Sequence, residues 1–77
     1  MWNELTQNET KEAFNNYEQS EIVKLKYVCM KKFDGKFGYI SNTNLNNKQY
    51  LIEDMDSSNV YIYKSVDDLI KDGWIID

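Results

Sequence analysis

Histidine, arginine and proline are absent from the 77 residues, and cysteine occurs once, as Cys29. Each absence closes off chemistry. Without histidine the chain lacks the one side chain that titrates near neutrality unperturbed, so the usual nucleophile-plus-base pairs and histidine-bearing zinc sites cannot be assembled. Without arginine, bidentate reading of guanine and clamping of phosphate fall to lysine, a point charge, which disfavours sequence-specific DNA recognition. A single cysteine forms no internal disulfide, and no stretch is long and apolar enough for a signal peptide or a membrane span. The expected setting is cytoplasmic, with no membrane partner. No catalytic residue, cofactor or metal is expected. The Asn8-Glu9-Thr10 triplet matches a glycosylation acceptor, a chance match in a chain without a secretory signal.

What is present is one small domain's worth of chain, which buries only about 60% of the surface that its unfolded form exposes. Two tryptophans, six tyrosines and three phenylalanines supply large buried areas from few positions. Asparagine and lysine are abundant while arginine and proline are missing, a bias that AT-rich coding produces.

Along the chain, residues 1–20 read as a helical segment. Thr6 followed by Glu9 fits a capping box, and Ala13, Phe14 and Tyr17 share a helical face, which predicts a helix over residues 8–19 with Trp2 and Leu5 ahead of it. Residues 21–64 read as antiparallel strands. Val23, Leu25, Tyr27 and Cys29 alternate with Lys24 and Lys26, and Asp34-Gly35 signals a hairpin. A two-residue turn there pairs Phe33 with Lys36, Lys31 with Gly38 and Cys29 with Ile40. That register buries Val23, Leu25, Tyr27, Cys29 and Ile40, with Cys29 an inert structural thiol, and turns Lys24, Lys26, Lys32, Phe37 and Tyr39 outward. Residues 43–47 read as a loop, followed by two more strands. Val60 and Ile62 are assigned inward and Tyr61 and Tyr63 outward, although both faces are apolar and the reverse stays open. Residues 65–77 form a short helix and a terminal extended piece: Ser65 caps, Asp67 and Asp68 favour the positive helix end, Val66, Leu69 and Ile70 make the buried stripe, and Gly73 ends it. The expected fold is α+β, a small antiparallel sheet of about four strands with an N-terminal helix and a short C-terminal helix packed on it.

Residues 54–65 invite a calcium-loop reading that fails, because glycine is needed where Asn59 stands and glutamate where Ser65 stands. The charge layout is more informative. Residues 1–21 carry a net −4, residues 22–51 carry +5, and residues 52–77 carry −5, so a basic hairpin lies between two acidic segments. Lysines of the hairpin could neutralise the flanking acids within the fold; alternatively the acids gather on one face and steer a basic partner. The second alternative leads to a non-catalytic, acidic protein-binding module that inhibits a basic host protein, such as a DNA-binding protein or polymerase, by standing in for phosphate charge as a DNA mimic does. Its candidate contacts are Glu53, Asp54, Asp56, Tyr61, Tyr63, Asp68 and Asp72, with the tyrosines as aromatic anchors. Shortness, acidity and coding bias resemble in style the small early phage proteins of host takeover, with no motif carrying the likeness. Two other readings are a module for single-stranded nucleic acid using the lysines and aromatics of residues 24–40, and a self-associating regulatory subunit, a homodimer that pairs an open sheet edge with its twin.

Overall fold

The computed structural model describes residues 1–77. Helix α1, Glu4–Asn15, starts earlier than the Thr6–Glu9 box predicts, because the Asn3 side chain caps it first by accepting the Thr6 N–H at 2.8 Å. The preceding residue holds that start in place. Trp2 donates its indole N–H to the Gly73 carbonyl at 2.7 Å, and the Gln7 amide returns to the Trp2 carbonyl at 2.6 Å. Phe14 is buried, with Ala13 and Tyr17 packed beside it. Two short 3₁₀ turns, Tyr17–Gln19 and Glu21–Lys24, replace the expected first part of the strand region. Their packing residue is Ile22, and Leu25 is exposed.

The sheet has five strands: β1 (Tyr27–Lys32), β2 (Phe37–Ser41), β3 (Tyr50–Asp54), β4 (Val60–Tyr63) and β5 (Trp74–Ile76). The order is β4-β3-β2-β1-β5, antiparallel throughout, and the sheet is curled. The fifth strand is the terminal extended piece, which adds to the free side of β1. Residues 43–47, expected as loop, lie largely within a second α-helix, α2 (Asn42–Asn46), which Ser41 caps and from which Leu45 enters the core. Asn42 donates to the Val23 and Leu25 carbonyls at 2.9 and 2.6 Å, tying the segment before β1 to the end of β2.

The hairpin register differs from expectation by one residue. Tyr27 pairs with Ser41, Cys29 with Tyr39 and Lys31 with Phe37. The loop has three residues, not two: the Lys32 N–H bonds the Lys36 carbonyl at 2.8 Å, the Gly35 N–H bonds Lys32 at 2.9 Å, and Gly35 alone takes the left-handed conformation, at φ 99°. A one-residue shift moves every side chain of a strand to the other face. The inward set is therefore Val28, Met30 and Ile40, while Tyr27 and Cys29 face out. Lys32, expected outward, lies on the covered side with its side chain 18% exposed. The same parity correction applies to β4, where Tyr61 and Tyr63 pack against the core and Val60 and Ile62 are exposed.

Helix α3 (Val66–Lys71) follows its predicted layout. Ser65 accepts the Asp68 N–H, Val66, Leu69 and Ile70 are buried, and Gly73 leaves the helix at φ 104°. With α1 it covers one face of the sheet, enclosing Met30, Ile40, Ile52, Leu69 and a fully buried Trp74. The other face carries Tyr27, Cys29, Phe37, Tyr39, Leu51, Glu53, Val60 and Ile62, and much of it is uncovered.

Candidate functional site

Two groups of side chains stand out, one on each side of the sheet. On the covered side, near the hairpin tip, Lys32 lies 3.9 Å from Asp34 and 3.8 Å from Asp72, and its ammonium sits 5.8 Å from the centre of the Tyr61 ring. Lys36 reaches the same ring at 5.9 Å. The Trp74 indole donates to the Tyr63 hydroxyl at 2.9 Å, and that hydroxyl donates to Asp72 at 2.6 Å. Burial, reinforced by the Asp72 bond, pushes the Tyr63 phenol well above its ordinary value, so Tyr63 stays protonated. Asp54 accepts the Asp56 N–H at 2.8 Å and the Tyr61 hydroxyl at 3.3 Å, and the first of these holds its carboxyl below the ordinary range. This network is internally matched: each carboxylate meets a donor from the chain itself, the Tyr61 ring is met by two lysines and Trp74, and the Tyr63 hydroxyl lies between Trp74 and Asp72.

The expected contact residues divide accordingly. Asp54, Tyr61, Tyr63 and Asp72 come together in that network. The tyrosines act there as core-facing rings rather than outward anchors, because β4 turns them toward Trp74, 5.6 Å from Tyr61 between ring centres. Glu53 lies on the opposite face, across from Tyr39 on one side and Val60 on the other. Asp56 is exposed in the β3–β4 loop and Asp68 in the first turn of α3. The seven residues therefore do not form one patch. Four carboxylates, Asp34, Asp67, Asp72 and Asp77, lie within 4.0 Å of a lysine ammonium. The other nine have no such partner, so much of the negative charge survives, distributed over several faces.

The second group is the open face. Tyr27 and Tyr39 meet edge to face at 5.3 Å, and together with Cys29 and Met55 they line a shallow hollow of about 320 Å³. Phe37 extends the surface along β2 and is 42% exposed; Tyr27 and Met55 are nearly half exposed. Lys26 stands 5.8 Å from the Tyr27 ring centre at one margin. Solvated strand faces normally alternate to polar residues, so a row of aromatic and sulfur-bearing side chains left in water departs from the usual pattern. Sequence reasoning placed Phe37 and Tyr39 outward but missed the rest of this site, because Tyr27 and Cys29 alternate as cleanly as Val28 and Met30 do, and hairpin loop length alone decides which pair is buried.

A second hollow, about 290 Å³, lies between the end of α1 and the α2–β3 connection, lined by Phe14, Tyr17, Leu45 and Tyr50 with several amide side chains. The Tyr17 hydroxyl is buried there without a hydrogen-bond partner. No helix is long and apolar enough to cross a membrane. No family model matches the chain, and neither a curated protein nor a solved structure does.

Proposed function

We propose that this chain is a non-catalytic protein-binding module that docks through the open face of its sheet onto a basic partner with an apolar centre, and thereby blocks that partner. The carrying observation is the exposed aromatic and sulfur-bearing surface formed by Tyr27, Cys29, Phe37, Tyr39 and Met55. Aromatic residues and methionine are the side chains in which interface energy concentrates. The charge supports a basic partner. A net −4 with nine carboxylates unpaired leaves a negative field that raises encounter rates with positive surfaces, while Glu53 beside Tyr39 offers a contact to a lysine or arginine at the rim of the apolar centre. A host protein that otherwise binds nucleic acid has such a surface.

The test is affinity capture from a low-GC bacterial lysate with wild-type bait and with Phe37→Ser/Tyr39→Ser bait, followed by mass spectrometry. The reading expects a basic protein held by the wild type, lost from the variant and weakened by salt. Equal recovery on both baits overturns it.

A second reading, binding of single-stranded nucleic acid, draws on the same face, since Tyr27, Tyr39 and Phe37 are stackable rings with Lys26 beside them. Overall acidity and the absence of arginine oppose it. Fluorescence anisotropy with a labelled single-stranded oligonucleotide at low salt separates the two: saturable binding that Tyr39→Ser abolishes favours nucleic acid.

A further inference from the structure

The two edges of the sheet are finished differently. At the β5 edge, α1 packs alongside, the Thr10 hydroxyl accepts the Ile76 N–H at 3.0 Å, and Lys31 pairs with Asp77. That edge is closed. At the β4 edge nothing pairs on the far side. The Asp54 N–H bonds the Asn59 carbonyl at 3.0 Å, which fixes the alternation of the ladder: Asn59, Tyr61 and Tyr63 bond to β3, and Val60 and Ile62 point their N–H and C=O groups away from it. The side chains of these two residues are also in water, Val60 at 47% and Ile62 at 75% exposure. Natural edges are usually blunted by proline, a bulge, inward-pointing charge or a covering element. β4 has no such device between Val60 and Tyr63.

We propose that β4 pairs antiparallel with β4 of a second copy of this chain, about a two-fold axis at Tyr61, to make a continuous ten-stranded sheet. The register that uses β4 alone sets Val60 against Ile62 of the other copy and Ile62 against its Val60. Each of these is a bonded pair, giving four backbone hydrogen bonds and two apolar cross-strand contacts on the open face. Charge selects the same arrangement. β4 is preceded by the loop bearing exposed Asp56 and followed by exposed Lys64, and neither has an ion-pair partner within its own chain. Antiparallel pairing brings Lys64 of each copy beside the loop that carries Asp56 in the other, twice by symmetry. A parallel arrangement would set like charges together. The contact is small, at the low end of specific interfaces, so the dimer is weak and forms only as the concentration rises. The dimer does not depend on the docking function proposed above, because it is made by the strand edge and not by the hollow at Tyr39.

Sedimentation velocity over a wide concentration range reads the proposal directly. The expected result is a mass that rises from one chain to two and stops there. Ile62→Pro removes only an outward N–H, a position where edge strands accept proline, and is expected to weaken association at least tenfold while its circular dichroism matches the wild type. Lys64→Glu is expected to give the same loss without any backbone change, and Lys64→Glu/Asp56→Lys to restore the dimer, since Asp56 takes part in its own loop through its N–H and not its carboxylate. A chain that stays monomeric at every concentration overturns the proposal; so does growth beyond two copies, or a dimer indifferent to the Lys64→Glu exchange. If Ile62→Pro fails to fold, the charge-exchange pair alone decides.

Discussion

Gly38 lies mid-strand in β2, where an added β-carbon would come within 2.6 Å of Ile52 Cγ2, 2.7 Å of the Glu53 carbonyl oxygen and 3.2 Å of Trp74 Cη2. Glycine in a strand interior ordinarily costs stability through backbone entropy, so alanine would stabilise an open site. Here the steric term wins, because one of the colliding atoms is backbone and Trp74 is fully buried. Gly38→Ala is expected to lower stability by about 2 kcal/mol, within the usual cost of overpacking, and to lower the thermal midpoint by roughly 10 °C for a domain of this size. An unchanged midpoint would mean that Ile52 and the Glu53 carbonyl do not close on β2 at these distances. Tyr63 makes a separate, pH-dependent contribution. Its phenol is raised by burial and by Asp72, so the folded state favours the protonated form while the unfolded chain titrates near 10.0. That contribution is fully present below pH 10 and is lost as pH rises further, with the slope of at most one proton. Denaturant titrations from pH 7 to pH 11 are expected to show Tyr63→Phe less stable at neutrality, because Trp74 loses its acceptor, and flatter above pH 10 than the wild type. Parallel alkaline limbs in the two proteins would remove Tyr63 from the account.

At the scale of elements, legibility followed the number of independent signals. Helix α3 was readable because cap, first-turn acids, buried stripe and terminating glycine all agree, and each appears where expected. Helix α1 was located but displaced by four residues at each end, since Asn3 and Thr6 are both good caps and only the anchoring of Trp2 to Gly73 selects the first. Helix α2 was hidden because asparagine favours turns, and the burial of Leu45 is a tertiary effect. The hairpin shows how one ambiguity propagates. Asp34-Gly35 suits both a two-residue turn and a three-residue loop with glycine left-handed, and that choice interchanges the faces of β1 while β2 keeps its expected sides, Ile40 inward and Phe37 and Tyr39 outward. β4 was reversed for a related reason: Val60, Tyr61, Ile62 and Tyr63 are all apolar, so alternation carries no information about side. The candidate site went with the faces: its residues were named in the text of the strands, yet Tyr27 and Cys29 were assigned to the core. The register is testable by chemistry. Cys29 is expected to react fully with a thiol reagent in the native protein, Cys29→Ala to leave stability within about 0.5 kcal/mol as exposed substitutions do, and Met30→Ala to cost about 2–5 kcal/mol as buried truncations do. A thiol that reacts only in denaturant would restore the two-residue turn.

Over the whole molecule, charge and exposed apolar surface act against each other. At neutral pH a net −4 per chain opposes growth beyond a strand-paired dimer despite the open face, and nine of thirteen carboxylates lack a lysine partner, so this repulsion is not cancelled locally. Toward pH 4.7, where the net charge vanishes, the restraint is removed while Tyr27, Phe37, Tyr39 and Met55 are still in water. The protein is therefore expected to associate and scatter light in a window around pH 4.7, at concentrations where it is clear at pH 7. Two variants separate the contributions. Phe37→Ser/Tyr39→Ser lowers apolar exposure without altering charge, so it should narrow or abolish the window while leaving its centre in place. Replacing exposed Glu9 and Glu18 on the N-terminal segment by glutamine leaves the open face intact and removes two negative charges, so the window should move upward in pH. Light scattering across a pH series of the three proteins measures both displacements. If the serine variant precipitates over the same range as the wild type, the open face is not the surface that drives precipitation at low net charge, and its claim to be the docking surface weakens with it.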